Sequence, residues 1–486
     1  MTRPQASALF LSPGMEVAKK NKHDGRMLNR RDFLARLSAI SAGAILPLSA
    51  FAQALGDLPP GKKTLVAGAG IAGLYAADLL RANGYDVQVV EASERVGGKL
   101  LGGTVGGFPF DFGGQGFSTD MKRVNALGTR LGLNRIMRPT SGDFFLDGNA
   151  LRLGAEYDKI RRERLAFDEK ATGLYPGLRD AAKRAEWGAL SVMDWGRSQF
   201  STAGLEYFRT NFASEWCALP DDVSLLHFLE IQESFEGDEA DEMAFRYREG
   251  FAALTDRLHA GLGRARVRLN APLEGVQVHP QGIRAVAGGV TYDADALVLA
   301  VPLPRVSAIR FSGFDSAPFL DALSAYRGCS VRKIIAVYDR PFWGIKARDG
   351  EFSTPCGMSM LDNSDMEKNA FSLAIFLGGP SAAENPGREA VLERVAAVVG
   401  PEALKPRDYH EQAWLGSTHL PGGYASNRVP ARTGSAPLPT SLAGRIFLAG
   451  SETADHFPTY VEGALSSVER AVAALARSLA QETVLA

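Results

Sequence analysis

Cysteine is scarce in this chain of 486 residues: Cys217, Cys329 and Cys356 are the whole supply. An odd number without C-x-x-C spacing speaks against a disulfide framework and against a thiolate metal site, so free, buried thiols are expected. The seven histidines are scattered, with no H-x-x-x-H or H-E-x-x-H, and no metal site is expected either. No basic run is interleaved with aromatics, and the net charge is −1, which argues against a nucleic-acid partner. A long apolar run is missing too. The stretch from Leu37 to Leu48 is short and carries Pro47, so no stable membrane span is expected.

What is present begins with an address. Asn29-Arg30-Arg31-Asp32-Phe33-Leu34 is a twin-arginine pattern, and Ala50-Phe51-Ala52 after the apolar stretch suits signal peptidase. Residues 1–52 are therefore expected to be a signal peptide, with Met27 as a possible true start. They hold eight basic and three acidic residues, a net of +5, so the mature chain carries −1 − 5 = −6. The twin-arginine translocase exports folded proteins, and a periplasmic location is expected. The remaining length suits two or three domain-sized units.

The stretch from Leu65 to Lys99 organises the rest. An apolar strand, Thr64 to Ala67, breaks at Gly68-Ala69-Gly70-Ile71-Ala72-Gly73; a helix runs to about Ala82; a second strand, Asp86 to Val90, ends at Glu91. This is G-x-G-x-x-G between strand and helix, with an acidic residue eighteen positions past the last glycine. Gly68 allows the tight turn, Gly70 opens bare backbone to a pyrophosphate, and Gly73 lets the helix lie close to the strand. The helix N-terminus offers N–H groups and a positive dipole end to phosphates. Glu91 is placed to accept ribose hydroxyls.

The continuation, Glu94-Arg95-Val96-Gly97-Gly98-Lys99, resembles the second signature of the flavin-containing amine oxidase superfamily, which includes monoamine, polyamine and L-amino acid oxidases. Four further blocks carry the same resemblance. Phe110-Asp111-Phe112-Gly113-Gly114-Gln115-Gly116 matches a D-x-G-G segment near the flavin ring. The stretch from Ser330 to Trp343 puts Lys333 eight residues before Pro341-Phe342-Trp343, where the family holds a water against flavin N5. Trp414 followed by Gly422-Gly423-Tyr424 matches the approach to the flavin's edge. Finally, Gly450-Ser451-Glu452-Thr453 precedes Tyr460-Val461-Glu462-Gly463-Ala464 at the start of a last helix with an apolar stripe (Val461, Leu465, Val468, Val472, Leu475, Leu479).

The resemblance implies FAD, held by Gly68, Gly70, Ile71, Ala72, Gly73, Glu91, Ala92, Arg95, Gly98, Lys99, Gly114, Gln115, Val276, Gly450, Glu452, Tyr460, Val461 and Ala464. It implies Lys333, Tyr460, Tyr424 and Trp414 as the residues around the reaction, with Tyr460 as a cage aromatic. Tyr424 and Ala425 stand where mammalian-type monoamine oxidases bond a Cys to the flavin, so FAD is expected to be non-covalent. Phe117 and Ser118 stand where L-amino acid oxidases place a carboxylate-binding Arg, which counts against an amino acid substrate.

The fold expected is α/β: a doubly wound, Rossmann-like FAD domain from residues 60–118, 243–302 and 440–482, interleaved with a substrate domain of mixed sheet and helices from 119–242 and 303–439. Helices are expected around Leu127–Leu133, Ile160–Leu165, Leu205–Phe212 and Arg388–Val399, and a single strand from Tyr292 to Pro302. The expected reaction is oxidation of a small amine, with oxygen or a periplasmic protein taking the electrons. A protoporphyrinogen-oxidase-like or desaturase-like flavoprotein, or a flavin electron-transfer subunit, stands as the alternative. The six acidic residues of Glu233–Glu242 are expected to be a solvated face, or else to steer cationic amines.

Overall fold

The computed structural model describes residues 61–139, 156–235, 243–343, 351–353, 358–414, 416–420, 422–423, 426–429 and 438–485. The twin-arginine segment, Cys356, Tyr424, Ala425 and most of the acidic run after Phe235 lie outside the described residues.

Five parallel strands form the centre. Lys63–Ala67 pairs on one side with Asp86–Val90 and on the other with Ala296–Leu299; Val267–Arg268 and Ile446–Leu448 extend the two flanks. In chain order this is 3-2-1-4-5, with an antiparallel strand, Ser441–Leu442, at one edge. The strands come from the three separated stretches that the sequence pattern linked. Ala296–Leu299 is buried throughout and Lys63–Ala67 at four of five positions, the mark of a parallel sheet covered on both faces.

One face carries the helix Ile71–Ala82 and the last helix, Val461–Leu485, which meet through a core including Leu74, Leu80, Leu465, Val468, Val472 and Leu479. The other face is covered by a four-stranded sheet rather than by helices, in the order Val290–Ala294, Gly282–Ala287, Leu273–His279 and Arg310–Ser312. The apolar run from Tyr292 to Pro302 is therefore two strands, not one. Asp295 breaks it: its carboxylate accepts the Lys63 N–H at 2.7 Å and pairs with Lys62 at 3.2 Å. Residues before Asp295 join the four-stranded sheet and residues after it the parallel one.

Next to this unit stands a five-stranded antiparallel sheet in the order Glu351–Ser353, Met358–Asp362, Phe371–Gly378, Val331–Tyr338 and Asp408–Ala413. Helices Tyr157–Thr172, Ala181–Ala189, Thr202–Trp216 and Leu225–Ser234 pack on an aromatic core around Phe167, Phe208, Phe212 and Phe228. The helix expected at Leu127–Leu133 is Lys122–Arg130; Gly132 at φ +71° ends it early. Arg388–Val399 is helical as expected. Cys217 and Cys329 are buried thiols, in no disulfide among the described residues. Among the described residues no helix is long and apolar enough to cross a membrane, and no group of His, Cys, Asp and Glu is placed to hold a metal ion.

Candidate active site

A strand order that reverses at its first strand opens a crevice at the carboxyl ends of the sheet. The cavity lies there. It measures about 810 Å³ and runs from the glycine turn to the five-stranded sheet and the helical layer. Its near end is backbone: Gly68, Gly70, Ile71 and Ala72 from the turn, Ala92, Gly97 and Gly98 from the next loop, Gly450 and Glu452 from the last strand's exit. Gly68 sits at φ +103°, and a Cβ there would stand 2.5 Å from the Ala300 carbonyl oxygen. Gly73 does not line the cavity. It is the point of closest approach between helix and strand, where a Cβ would overlap the Gly68 carbonyl oxygen. Gly70 is different: a Cβ would meet nothing nearer than the Gly98 Cα at 4.0 Å. Its missing side chain leaves room for a ligand, not for protein.

Glu91 lines this end, but its carboxylate is already engaged. Oε2 accepts the Ala69 N–H at 2.6 Å, while Oε1 accepts the backbone N–H and hydroxyl of Ser93 at 2.9 and 2.7 Å. It thus holds the glycine turn in shape, and Oε2, which accepts a single bond, keeps a further lone pair for a ribose hydroxyl. The Glu452 side chain is only 6% exposed and accepts from Lys99 at 3.0 Å. Burial alone would raise its carboxyl; Lys99 and hydrogen bonds from its own backbone and from Ser451 outweigh that and hold it below the usual range.

Besides Gly73, two more residues assigned to FAD by sequence lie off the cavity wall. The Arg95 guanidinium turns to the carbonyls of Val96 and Gly98, at 3.0 and 2.8 Å, and so braces the loop that faces the ligand. Val276 is buried inside the four-stranded sheet's core. Gly114, Gln115, Val461 and Ala464 are on the wall as expected.

The far end is built around Lys333, which is 2% exposed on a strand buried along its whole length. Its ammonium donates to the Gly113 carbonyl at 2.8 Å and to Gln115 Oε1 at 2.6 Å. Two of its three protons are committed, and one is left for the cavity. The same bond orients the Gln115 amide, whose Nε2 has no partner among the described residues. Burial pushes Lys333 far down, to about 7; the nearby Asp111 opposes that shift, while Arg138 and Arg246 add to it. Asp111, also buried, is pushed up by desolvation although it accepts the Phe251 N–H at 2.7 Å.

Trp414 closes one wall, its indole N–H fixed to the Phe112 carbonyl at 2.9 Å. Tyr460 stands opposite the helical layer, with the Phe235 ring edge-on at 5.0 Å and the Phe457 ring at 6.4 Å. Tyr460 also opens the last helix, since its carbonyl accepts the Ala464 N–H at 3.0 Å. Glu462, one turn in, accepts the backbone N–H groups of Arg123 and Val124 and pins that helix end. Sequence reasoning missed Arg138, Glu215 and Phe235, which line this end, and Asp111 behind Lys333. They come from separate elements, and only the fold brings them together.

These parts fit FAD. A backbone cradle opens at Gly70, an orphaned amide donor at Gln115 lines the cavity, and a helix N-terminus reaches its far end. The family model for flavin containing amine oxidoreductases matches residues 71–476. The chain belongs to this family. It is an FAD-dependent oxidoreductase acting on amines.

Relatives agree with that placement. The chain is 28% identical over 450 residues to AofH of Mycobacterium tuberculosis, by name a flavin-containing monoamine oxidase, covering 85% of this chain and 96% of that protein. It is 26% identical to the L-amino acid dehydrogenase of a Synechocystis strain, covering 85% and 94%. In fold it is similar to the cyclohexylamine oxidase of Brevibacterium oxydans, with a TM-score of 0.76 at 23% identity, covering 86% of this chain and 100% of that one.

Proposed function

We propose that this flavoenzyme oxidises a small amine to an imine, which hydrolyses to an aldehyde or ketone, and that oxygen reoxidises it with release of hydrogen peroxide. The observation that carries the proposal is Lys333: a buried amine on the cavity wall with two of its protons committed and one to spare, beside the orphaned Gln115 amide and the rings of Trp414 and Tyr460. FAD, held by the glycine turn and the Gln115 end of the cavity, would supply the two-electron acceptor for oxidation of the carbon next to nitrogen. The protein's part is to exclude water and hold the amine. Tyr460, packed against Phe235 and Phe457, would offer an aromatic face to the substrate's nitrogen, with Trp414 as a second ring of the same cavity wall. No strong protein base is required if the amine arrives neutral.

Purified holoenzyme given a panel of alkyl, aryl and diamines should bleach anaerobically and release peroxide in air. Bleaching without peroxide would point to a protein electron acceptor. No bleaching with any amine would defeat the proposal. A second reading, an amine that also bears a carboxylate, has one observation behind it: buried Arg138 lines the same cavity, although Phe117 and Ser118 bring no cation. L-amino acids therefore belong in the panel.

We also propose periplasmic location through the twin-arginine translocase, on the strength of Arg30-Arg31 ahead of a weakly apolar run and an A-x-A site. Replacing both arginines with lysine should leave FAD-loaded precursor in the cytoplasm. Unchanged periplasmic yield would refute the assignment.

A further inference from the structure

The helical layer contributes a charge to the cavity that nothing in the reaction uses. Glu215 lies near the end of the helix Thr202–Trp216 and lines the cavity. Its side chain is exposed to solvent where it lines the cavity. Among the described residues it makes no hydrogen bond and no ion pair. Arg164, on the facing helix Tyr157–Thr172, also lines the cavity, but its Nε–H is shared between both oxygens of Asp168 at 3.0 and 2.9 Å. Its guanidinium carbon lies 5.3 Å from the Phe208 ring centroid, which holds it against the helical core. Arg164, Asp168 and Glu215 together carry one net negative charge. Burial raises the Glu215 carboxyl above the ordinary glutamate range, Arg164 opposes this and Asp168 adds to it. A second cation in the cavity would balance that charge.

The carboxylate shares a chamber with Lys333. Ser214, its neighbour in sequence, packs against Gly378, and Gly378 pairs with Val331, two residues before Lys333 on the same strand. Trp216, Ile231 and Phe235 line the same chamber, an apolar and aromatic wall suited to a methylene chain.

We propose that Glu215 is the subsite for a second cationic group on the substrate, so that the enzyme prefers linear diamines to alkylamines of the same length. One amine sits at the Lys333–Tyr460 end and the other ammonium sits at Glu215. This rests on the amine-oxidising reading above and deepens it.

The test uses holoenzyme and two matched probe series, α,ω-diaminoalkanes and n-alkylamines, with anaerobic bleaching of the flavin as readout. In the wild-type enzyme the best diamine should reach half-maximal reduction rate at a concentration about tenfold or more below that of its matched alkylamine. Glu215→Gln should bring the ratio close to one. Glu215→Asp, which keeps the charge, should retain a preference. Parity in the wild type, or a ratio that survives in Glu215→Gln, overturns the subsite. If alkylamines bleach the enzyme at parity with diamines, only this inference falls. If neither series bleaches it, the amine-oxidising reading falls with it.

Discussion

Gly73→Ala should yield a chain that is destabilised and free of FAD, whereas Gly70→Ala should yield a stable chain that is equally free of FAD. The two positions are three residues apart in one motif, yet they fail for different reasons. At Gly73 the new methyl would overlap the Gly68 carbonyl oxygen, stand 2.9 Å from its carbon and 3.4 Å from a Val66 methyl. Gly68 cannot retreat, since it is held at φ +103° with the Ala300 backbone behind it. The helix must move off the strand, an overpacking cost of about 1–3 kcal/mol or more. The phosphate end of the cavity moves with it. At Gly70 the backbone is extended, with φ −73° and ψ −175°, which alanine adopts freely, and the methyl meets nothing nearer than 4.0 Å. It enters only the space left for the ligand. Thermal unfolding of the apo-proteins and the ratio of flavin to protein absorbance separate the two effects. Full FAD occupancy in Gly70→Ala would show that the pyrophosphate does not lie against this backbone.

The contrast explains how much of the site is legible in the sequence. The glycine turn is a local object: strand, turn, helix and second strand lie within about thirty residues, so spacing alone reports their geometry. Lys333 is legible for another reason. A lysine inside an apolar strand has few ways to be stable, and a fixed role at a cavity wall is one of them. The last helix shows its buried stripe through period alone. What stays hidden depends on tertiary placement. The helix carrying Glu215 has the same apolar spacing whether its other face meets bulk water or a cavity. The strand run from Tyr292 onward is apolar on both sides of Asp295, and period cannot say that two sheets divide it there. Arg95 belongs to the motif but serves it from behind, by bracing carbonyls, and a motif names residue types without saying which way a side chain turns. Phe235 ends a helix just before an acidic stretch, a place that reads as surface until Tyr460 is brought against it.

Lys333→Met should slow reaction of the reduced enzyme with oxygen by about a hundredfold, the scale of losing one preorganised donor, while leaving reduction by substrate within a few-fold. The reasoning starts from the number of protons. With two donated to Gly113 and Gln115, the ammonium has a single N–H to place in the cavity, and in the proposed reaction a cation there would stabilise negative charge that develops as oxygen is reduced. Methionine keeps the length and loses both donor and charge. The pH dependence follows with a definite sign. Burial is the largest influence on Lys333 and lowers it to about 7; Asp111 pulls it up, and Arg138 and Arg246 push it down further. Below that pH the amine is charged, and above it a lone pair faces the cavity. The oxygen half-reaction of the wild type should therefore be fastest on the acid side and fall as pH rises through neutrality. The Met variant should be slow and flat across the same range. Stability should follow the same linkage: the unfolded chain binds the lysine proton up to about pH 10 and the folded one only to about 7, so this group's contribution to stability rises with pH between the two. Tyr460→Leu supplies the opposite pattern. Its ring is held edge-on by Phe235 at 5.0 Å on the cavity wall, and as the aromatic face of the proposed amine site its loss should slow reduction and spare reoxidation. Rapid mixing times the two half-reactions separately. Equal damage to the same half-reaction in both variants would remove the division of labour and leave Lys333 and Tyr460 as packing residues of the cavity wall.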